Sequence, residues 1–150
     1  MDDQSLFDPG FHDVPFDGIA ERLWSLFVGP FGRSRRREYL VRRFVAYLNE
    51  LRDTGMSFEV WLDGSFTTTK MSPNDVDVVV FYNPNEYNFL SLEERQRFDR
   101  LTDAVIVRSG YDCDVYFVRN HSADLRSYWR GWFGFSRNEE PKGIPRIFIR

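Results

Sequence analysis

The chain has 150 residues and a formal net charge of −3, a length that fits one domain burying roughly 70% of its unfolded surface around one core. The acidic balance excludes a generally basic nucleic-acid binder, and no apolar run approaches the ~18 residues needed to cross a bilayer. A single cysteine, Cys113, excludes an internal disulfide and a zinc site built on two thiolates.

In chain order, Met1-Asp2-Asp3-Gln4 lacks the basic and apolar regions of a signal peptide, so a cytoplasmic protein is expected. Residues 1–16 are rich in Asp, Pro, Phe and Gly without period, and read as an irregular arm. Asp17 is placed to cap a helix running to Phe27, with Ile19, Leu23, Leu26 and Phe27 on one side. Gly29-Pro30-Phe31-Gly32 is a break. Ser34 caps a longer helix to about Arg52, in which Leu40, Val41, Phe44, Val45, Leu48 and Leu51 recur at helical spacing. Thr54-Gly55 ends it.

Phe58–Leu62 reads as a strand and Asp63-Gly64-Ser65 as a turn. Val76–Tyr82 is an apolar, β-branched run of strand length, stopped by Asn83-Pro84-Asn85. Ser91 and Glu94 form a capping-box pattern that opens a helix to about Val107. Ser109-Gly110 is expected to stop that helix, with a strand from Tyr111 to Val118. A helix over Ser122–Phe133, ended by Gly134, and a strand over Ile144–Ile149 complete the chain. This order predicts one α+β domain over residues 1–150, with a single sheet packed against helices.

Chemistry concentrates between Trp61 and Val80. A strand ends in Gly64-Ser65. Nine residues later Asp75-Val76-Asp77 opens the next strand, and a third acid, Asp114, sits between Cys113 and Val115 in a later one. Side chains alternate along a strand, so Asp75 and Asp77 share a face about 7 Å apart. Paired carboxylates suit a hard cation such as Mg²⁺ or Mn²⁺. A third carboxylate from a neighbouring strand allows two ions roughly 3.5–4 Å apart, one near the attacking and one near the leaving oxygen. Gly64 lets the backbone approach a phosphate, and Ser65 can donate from its hydroxyl and its N–H. Asp112 is the rival of Asp114, expected on the same strand face; the apolar neighbours of Asp114 favour it as the inward acid.

This pattern, with Gly-Ser, nine residues, Asp-x-Asp and a later apolar-Asp-apolar strand, resembles the DNA polymerase β-like nucleotidyltransferase superfamily over Phe58–Val118. A wider likeness, to short bacterial proteins of that superfamily, rests on Asp63-Gly64-Ser65-Phe66, Pro73-Asn74-Asp75-Val76-Asp77, Cys113-Asp114-Val115-Tyr116-Phe117, Trp132-Phe133-Gly134 and Pro141-Lys142-Gly143-Ile144. The resemblance implies a nucleotidyltransferase fold with a mixed sheet. It implies two Mg²⁺ or Mn²⁺ ions on Asp75, Asp77 and Asp114, with Asp114 helping to activate the attacking hydroxyl. Gly64, Ser65 and the following Lys70 would hold the triphosphate of an NTP, ATP foremost. The reaction implied is transfer of a nucleoside monophosphate to a hydroxyl on RNA or protein. A partner protein in a toxin–antitoxin or phage-defence pair is the implied setting. Where many members carry a glycine and basic residues after Gly-Ser, this chain has Thr67, Thr68 and Thr69, whose hydroxyls are candidate phosphate donors.

Outside that segment, Arg35, Arg36 and Arg37 fall in the first turn of their helix, where positive charge opposes the macrodipole at about 0.3–1 kcal/mol each. Helix stability does not favour them there, so at least one is expected to contact an acceptor or an acidic partner. Trp129 and Trp132, three apart on a helix, are read as core packing, with base stacking the alternative. Lys142 is either a mobile surface lysine or a phosphate contact. His12 and His121 lack metal-ligand spacing.

Overall fold

Apolar runs broken by short polar turns give this chain a five-stranded mixed sheet, and a computed structural model describes residues 3–150 of it. The strands are β1 (Gly10–Asp13), β2 (Phe58–Asp63), β3 (Val76–Tyr82), β4 (Cys113–Arg119) and β5 (Gly143–Ile149). Their order is β1-β5-β2-β3-β4. β2 runs antiparallel to both of its neighbours, while β1–β5 and β3–β4 are parallel pairs.

The helices are α1 (Ile19–Phe27), α2 (Arg35–Asp53), α3 (Pro84–Tyr87), α4 (Leu92–Leu101), α5 (Ala104–Tyr111) and α6 (Ala123–Phe133). One face of the sheet presents Phe58, Val60, Leu62, Val76, Val78, Val80, Cys113, Val115, Ile147 and Ile149. These join the buried sides of α1, α2, α4 and α5 in the main core. The other face carries a smaller cluster of Trp61, Val79, Phe81, Val118 and Ile144, covered by Phe133 and Trp129 of α6. That face is left open at one end, where the acids lie. Among the described residues no helix is long and apolar enough to cross a membrane.

Several boundaries differ from the expectation. The arm over residues 1–16 is not wholly irregular: Gly10–Asp13 forms the edge strand, in register with Gly143–Arg146. Asp17 does not cap α1. Gly18 stands there in a left-handed conformation with no side-chain cap, and the Asp17 carbonyl accepts from Arg22 Nε. The long helix from Ser91 is two helices. The Thr102 hydroxyl closes α4 by donating to Phe98 O, and the Asp103 carboxylate recaps the chain by accepting from Val105 N and Ile106 N. Ser109-Gly110 does not stop α5, which runs on to Tyr111. It ends one residue later because Asp112 adopts φ 54°, a left-handed terminus. Asp112 is therefore not on a strand face at all, and it pairs with Arg43 at 3.3 Å.

Candidate metal centre

Sheet register assembles the acids. Asp63 on β2 is opposite Asp77 on β3, and Asp77 is opposite Asp114 on β4. Three neighbouring strands thus place a carboxylate in one row. Asp75, two residues before Asp77, adds a fourth. Carboxylate oxygens of Asp75, Asp77 and Asp114 all lie within 4.8 Å of one another. That is a donor set of three hard oxygens, the type that holds Mg²⁺ or Mn²⁺.

The charges of the row are unequal in their compensation. The Lys142 ammonium is ion-paired with Asp63. Lys142 is buried, which rules out the mobile surface lysine. Burial raises the Asp63 carboxyl even so, against the pull of Lys142. Asp77 is pushed up to about 6, first by burial and then by the charges of Asp75, Asp63 and Asp114, with Lys142 offsetting only part. An acid held this far up is short of positive charge, and a divalent ion would supply it. Arg108 on α5 reaches the same place: its Nη1 lies 2.8 Å from Asp75 Oδ2 and 3.0 Å from Asp114 Oδ1.

Beside the acids runs the turn from Gly64. Gly64 has φ 82°, and a Cβ there would overlap the Asp77 carboxylate. Glycine is required on both counts. Ser65–Thr67 then forms a single 3₁₀ turn. The Ser65 hydroxyl makes no hydrogen bond among the described residues, and neither does the Lys70 ammonium. Two of the three threonine hydroxyls are spent as donors, and the third is used only as an acceptor. Thr67 donates to Gly64 O at 3.1 Å, Thr68 donates to Ser65 O at 2.7 Å, and Thr69 Oγ1 lies 3.0 Å from the Gln4 N–H, whose bond it accepts.

Arg37 clamps this loop from beneath. Its side chain is fully buried, and its guanidinium donates to the carbonyls of Phe27, Phe66, Thr68 and Lys70. Arg36 donates to the carbonyls of Pro73 and Asn74, immediately before Asp75. The expectation of an acceptor contact fails for Arg37, which has no exposed surface, and Arg36 is engaged within the chain. Arg35 alone of the three is exposed and has no partner among the described residues.

Two aromatic expectations are sorted by α6. Trp129 packs on Tyr116 with ring centroids 4.7 Å apart and against Phe133, as a core residue does. Trp132 is 63% exposed and is not core. Tyr116 stands two residues beyond Asp114 on the same face. Its phenol is raised first by burial and then by the charges of Asp114, Asp77 and Asp75.

Sequence reasoning missed Arg108 and the Asp63–Lys142 pair. Asp63 was open to detection from its place just before Gly64-Ser65, one strand over from Asp77. Arg108 carried no signal, because its reach depends on how α5 packs beside β4.

No curated protein matches the chain, and no solved structure does. Residues 1–148 match a family of unknown function (DUF6932), and with nearly the whole chain covered, the protein belongs to that family.

Proposed function

We propose that this protein is a metal-dependent nucleotidyltransferase of the polymerase β-like superfamily. It would move a nucleoside monophosphate from an NTP, with ATP the first choice, to a hydroxyl on RNA or protein, releasing pyrophosphate. The observation that supports this best is the meeting of Asp75, Asp77 and Asp114 within 4.8 Å, directly beside a Gly64-Ser65 turn whose hydroxyl is unspent.

The residues present fit the ions. Three carboxylates offer hard donors, Asp77 lacks compensation, and Gly64 leaves room for the Asp77 side chain. When bound, two divalent ions supply charge neutralisation for the triphosphate and make the acceptor hydroxyl more acidic. The chain's own groups do the rest. Asp114 stands at the open edge of the row, where it can take the proton of that hydroxyl. The Ser65 hydroxyl would hold a phosphate oxygen, while the Thr67 and Thr68 N–H groups close the turn on the Gly64 and Ser65 carbonyls. The rigid loop that Arg37 pins keeps them in place, so positioning provides much of the rate.

A second reading follows from Arg108, which already pairs with two of the three acids. In that reading the fold serves as a binding or dimerisation module and the acids are structural. The two part in one experiment. The protein is incubated in lysate with each labelled NTP and Mn²⁺ or Mg²⁺, and whatever becomes labelled is identified. The transferase reading expects label on RNA or protein, lost in the Asp75→Ala, Asp77→Ala double variant. Equal NTP binding by wild type and double variant, with no label in either, would sink it.

A further inference from the structure

Arg108 supplies one positive charge to a place that holds three carboxylates. One atom, Nη1, touches both Asp75 Oδ2 at 2.8 Å and Asp114 Oδ1 at 3.0 Å. Asp75 immediately precedes β3 and Asp114 lies on β4, so this nitrogen joins two separate chain segments at the place where the three acids converge. It is a poor substitute for one. Mg²⁺–oxygen bonds are about 2.1 Å long, so a divalent ion draws the oxygens in further than an N–H can. It also brings twice the charge to a row in which Asp77 still lacks compensation.

The arginine is also free to leave. Its side chain is 50% exposed, and among the described residues its side-chain polar contacts are to these two acids alone. Its backbone, by contrast, is held. The Arg108 carbonyl accepts from Asp112 N at the end of α5, and Asp103 caps the start of the same helix. A displaced guanidinium therefore stays tethered at the rim of the site. Leaving Asp75 and Asp114, it is an unpaired planar fork beside the place where the ion's own anionic cargo would sit, and that fork matches phosphate oxygens.

We propose that Arg108 is the exchangeable cation of this centre. It fills the place between Asp75 and Asp114 until a divalent ion displaces it, and it then becomes a ligand for the polyphosphate that arrives with the ion. The proposal rests on the metal reading of the acids given above. It makes the ion and the nucleotide bind as a linked pair. Taking up the ion alone requires breaking a charge-assisted hydrogen bond to Asp75 and an ion pair to Asp114, and the nucleotide returns a partner to the freed arginine.

The test uses the full chain, with Arg108→Gln, Arg108→Lys and Asp77→Asn as variants. Mn²⁺ affinity is measured alone, from the loss of the free-ion paramagnetic signal, and then in the presence of the non-hydrolysable analogue α,β-methylene-ATP. Removing these two contacts should let Arg108→Gln bind Mn²⁺ alone about tenfold tighter. The same variant should bind the Mn²⁺–analogue complex several-fold more weakly, and Arg108→Lys should fall between in both. A merely structural arginine would not move the two affinities in opposite directions. If Arg108→Gln binds Mn²⁺ no tighter than wild type, or binds the analogue as well as wild type does, the exchange is overturned while the metal site stands. If neither wild type nor Arg108→Gln takes up Mn²⁺ in a manner that Asp77→Asn abolishes, the metal reading falls and the exchange with it.

Discussion

The carboxylate of Asp77 occupies the space that a side chain at Gly64 would need: a Cβ built there overlaps Asp77 Oδ2 and crowds its Cγ and Cβ. Asp77 lies on β3, opposite Asp63, and Gly64 is the first residue beyond β2. The Gly-Ser turn and the acidic row are thus one steric unit. Gly64→Ala should drive the Asp77 side chain out of the row. It should also strain a backbone held at φ 82°, for a cost of about 1–3 kcal/mol. Mn²⁺ affinity should fall by tenfold or more, an order set by the loss of one ligand, while the circular dichroism of the sheet is kept. A variant that binds Mn²⁺ as wild type does would separate the turn from the acids.

Asp77 also sets a dependence on pH. Its folded carboxyl is raised to about 6 from an ordinary 3.8, so the folded state holds that proton more tightly than the unfolded chain. The stabilisation is complete below about pH 4 and is lost as pH rises to about 6. At neutral pH the ionised carboxylate costs at most about 3 kcal/mol. Asp77→Asn should therefore melt higher than wild type at pH 7.5 without metal, and this advantage should vanish near pH 4. A melting-temperature series across that range checks both the sign and the window.

The legible parts of this molecule are those whose signals are local. The strands at Phe58, Val76 and Ile144 are apolar runs between turn residues, and β-branched side chains mark them further. The Gly-Ser turn, Asp75 and Asp77 are close in sequence because a hairpin-like pair of strands places them together. Asp114 stood out as a polar residue between Cys113 and Val115, both buried on the main core side. The missed parts depend on tertiary contact. Gly10–Asp13 is only four residues long and gains its ladder from a strand 133 positions later. Arg108 and Lys142 look like any surface cation until α5 and the start of β5 are packed beside the acids. Asp112 was misplaced because one left-handed residue moved it from strand to helix terminus.

Cys113 gives a test of the core itself. Its thiol is fully buried on β4, and burial, with Asp112 and Asp75 adding to it, pushes its ionisation far above the ordinary thiol range. Thiolate is the reactive form. Iodoacetamide at pH 8 should leave the native protein unmodified and should label one site per chain once denaturant is added, as read by intact mass. Rapid labelling of the native protein would mean that β4 and α5 open readily, and that the face behind Asp114 is not the packed wall described above.

The arginine run at the start of α2 poses the sharpest local conflict, since three positive charges in a first turn oppose the helix dipole. Tertiary bonding resolves it for two of them. Ser34 caps the helix by accepting from Arg37 N, and its hydroxyl donates to Met71 O at 2.7 Å. The Arg37 guanidinium lies 3.6 Å from the centroid of the Phe31 ring and satisfies four carbonyls, three of them in the loop that follows Gly64-Ser65. Burial lowers its pKa only to about 10, so it stays charged at neutral pH. Arg37→Gln cannot reach those carbonyls together, and buried acceptors left without donors carry a heavy penalty. The expected loss is about 3–5 kcal/mol in urea unfolding, the range for breaking a buried charged network from one side. If the protein is the transferase proposed above, its nucleotide binding should weaken as well, because the 66–70 loop loses its clamp. Arg35→Gln, at an exposed position, should change stability by no more than about 0.5 kcal/mol. Similar unfolding midpoints for Arg35→Gln and Arg37→Gln would mean that the run acts by charge alone and that the clamp is dispensable.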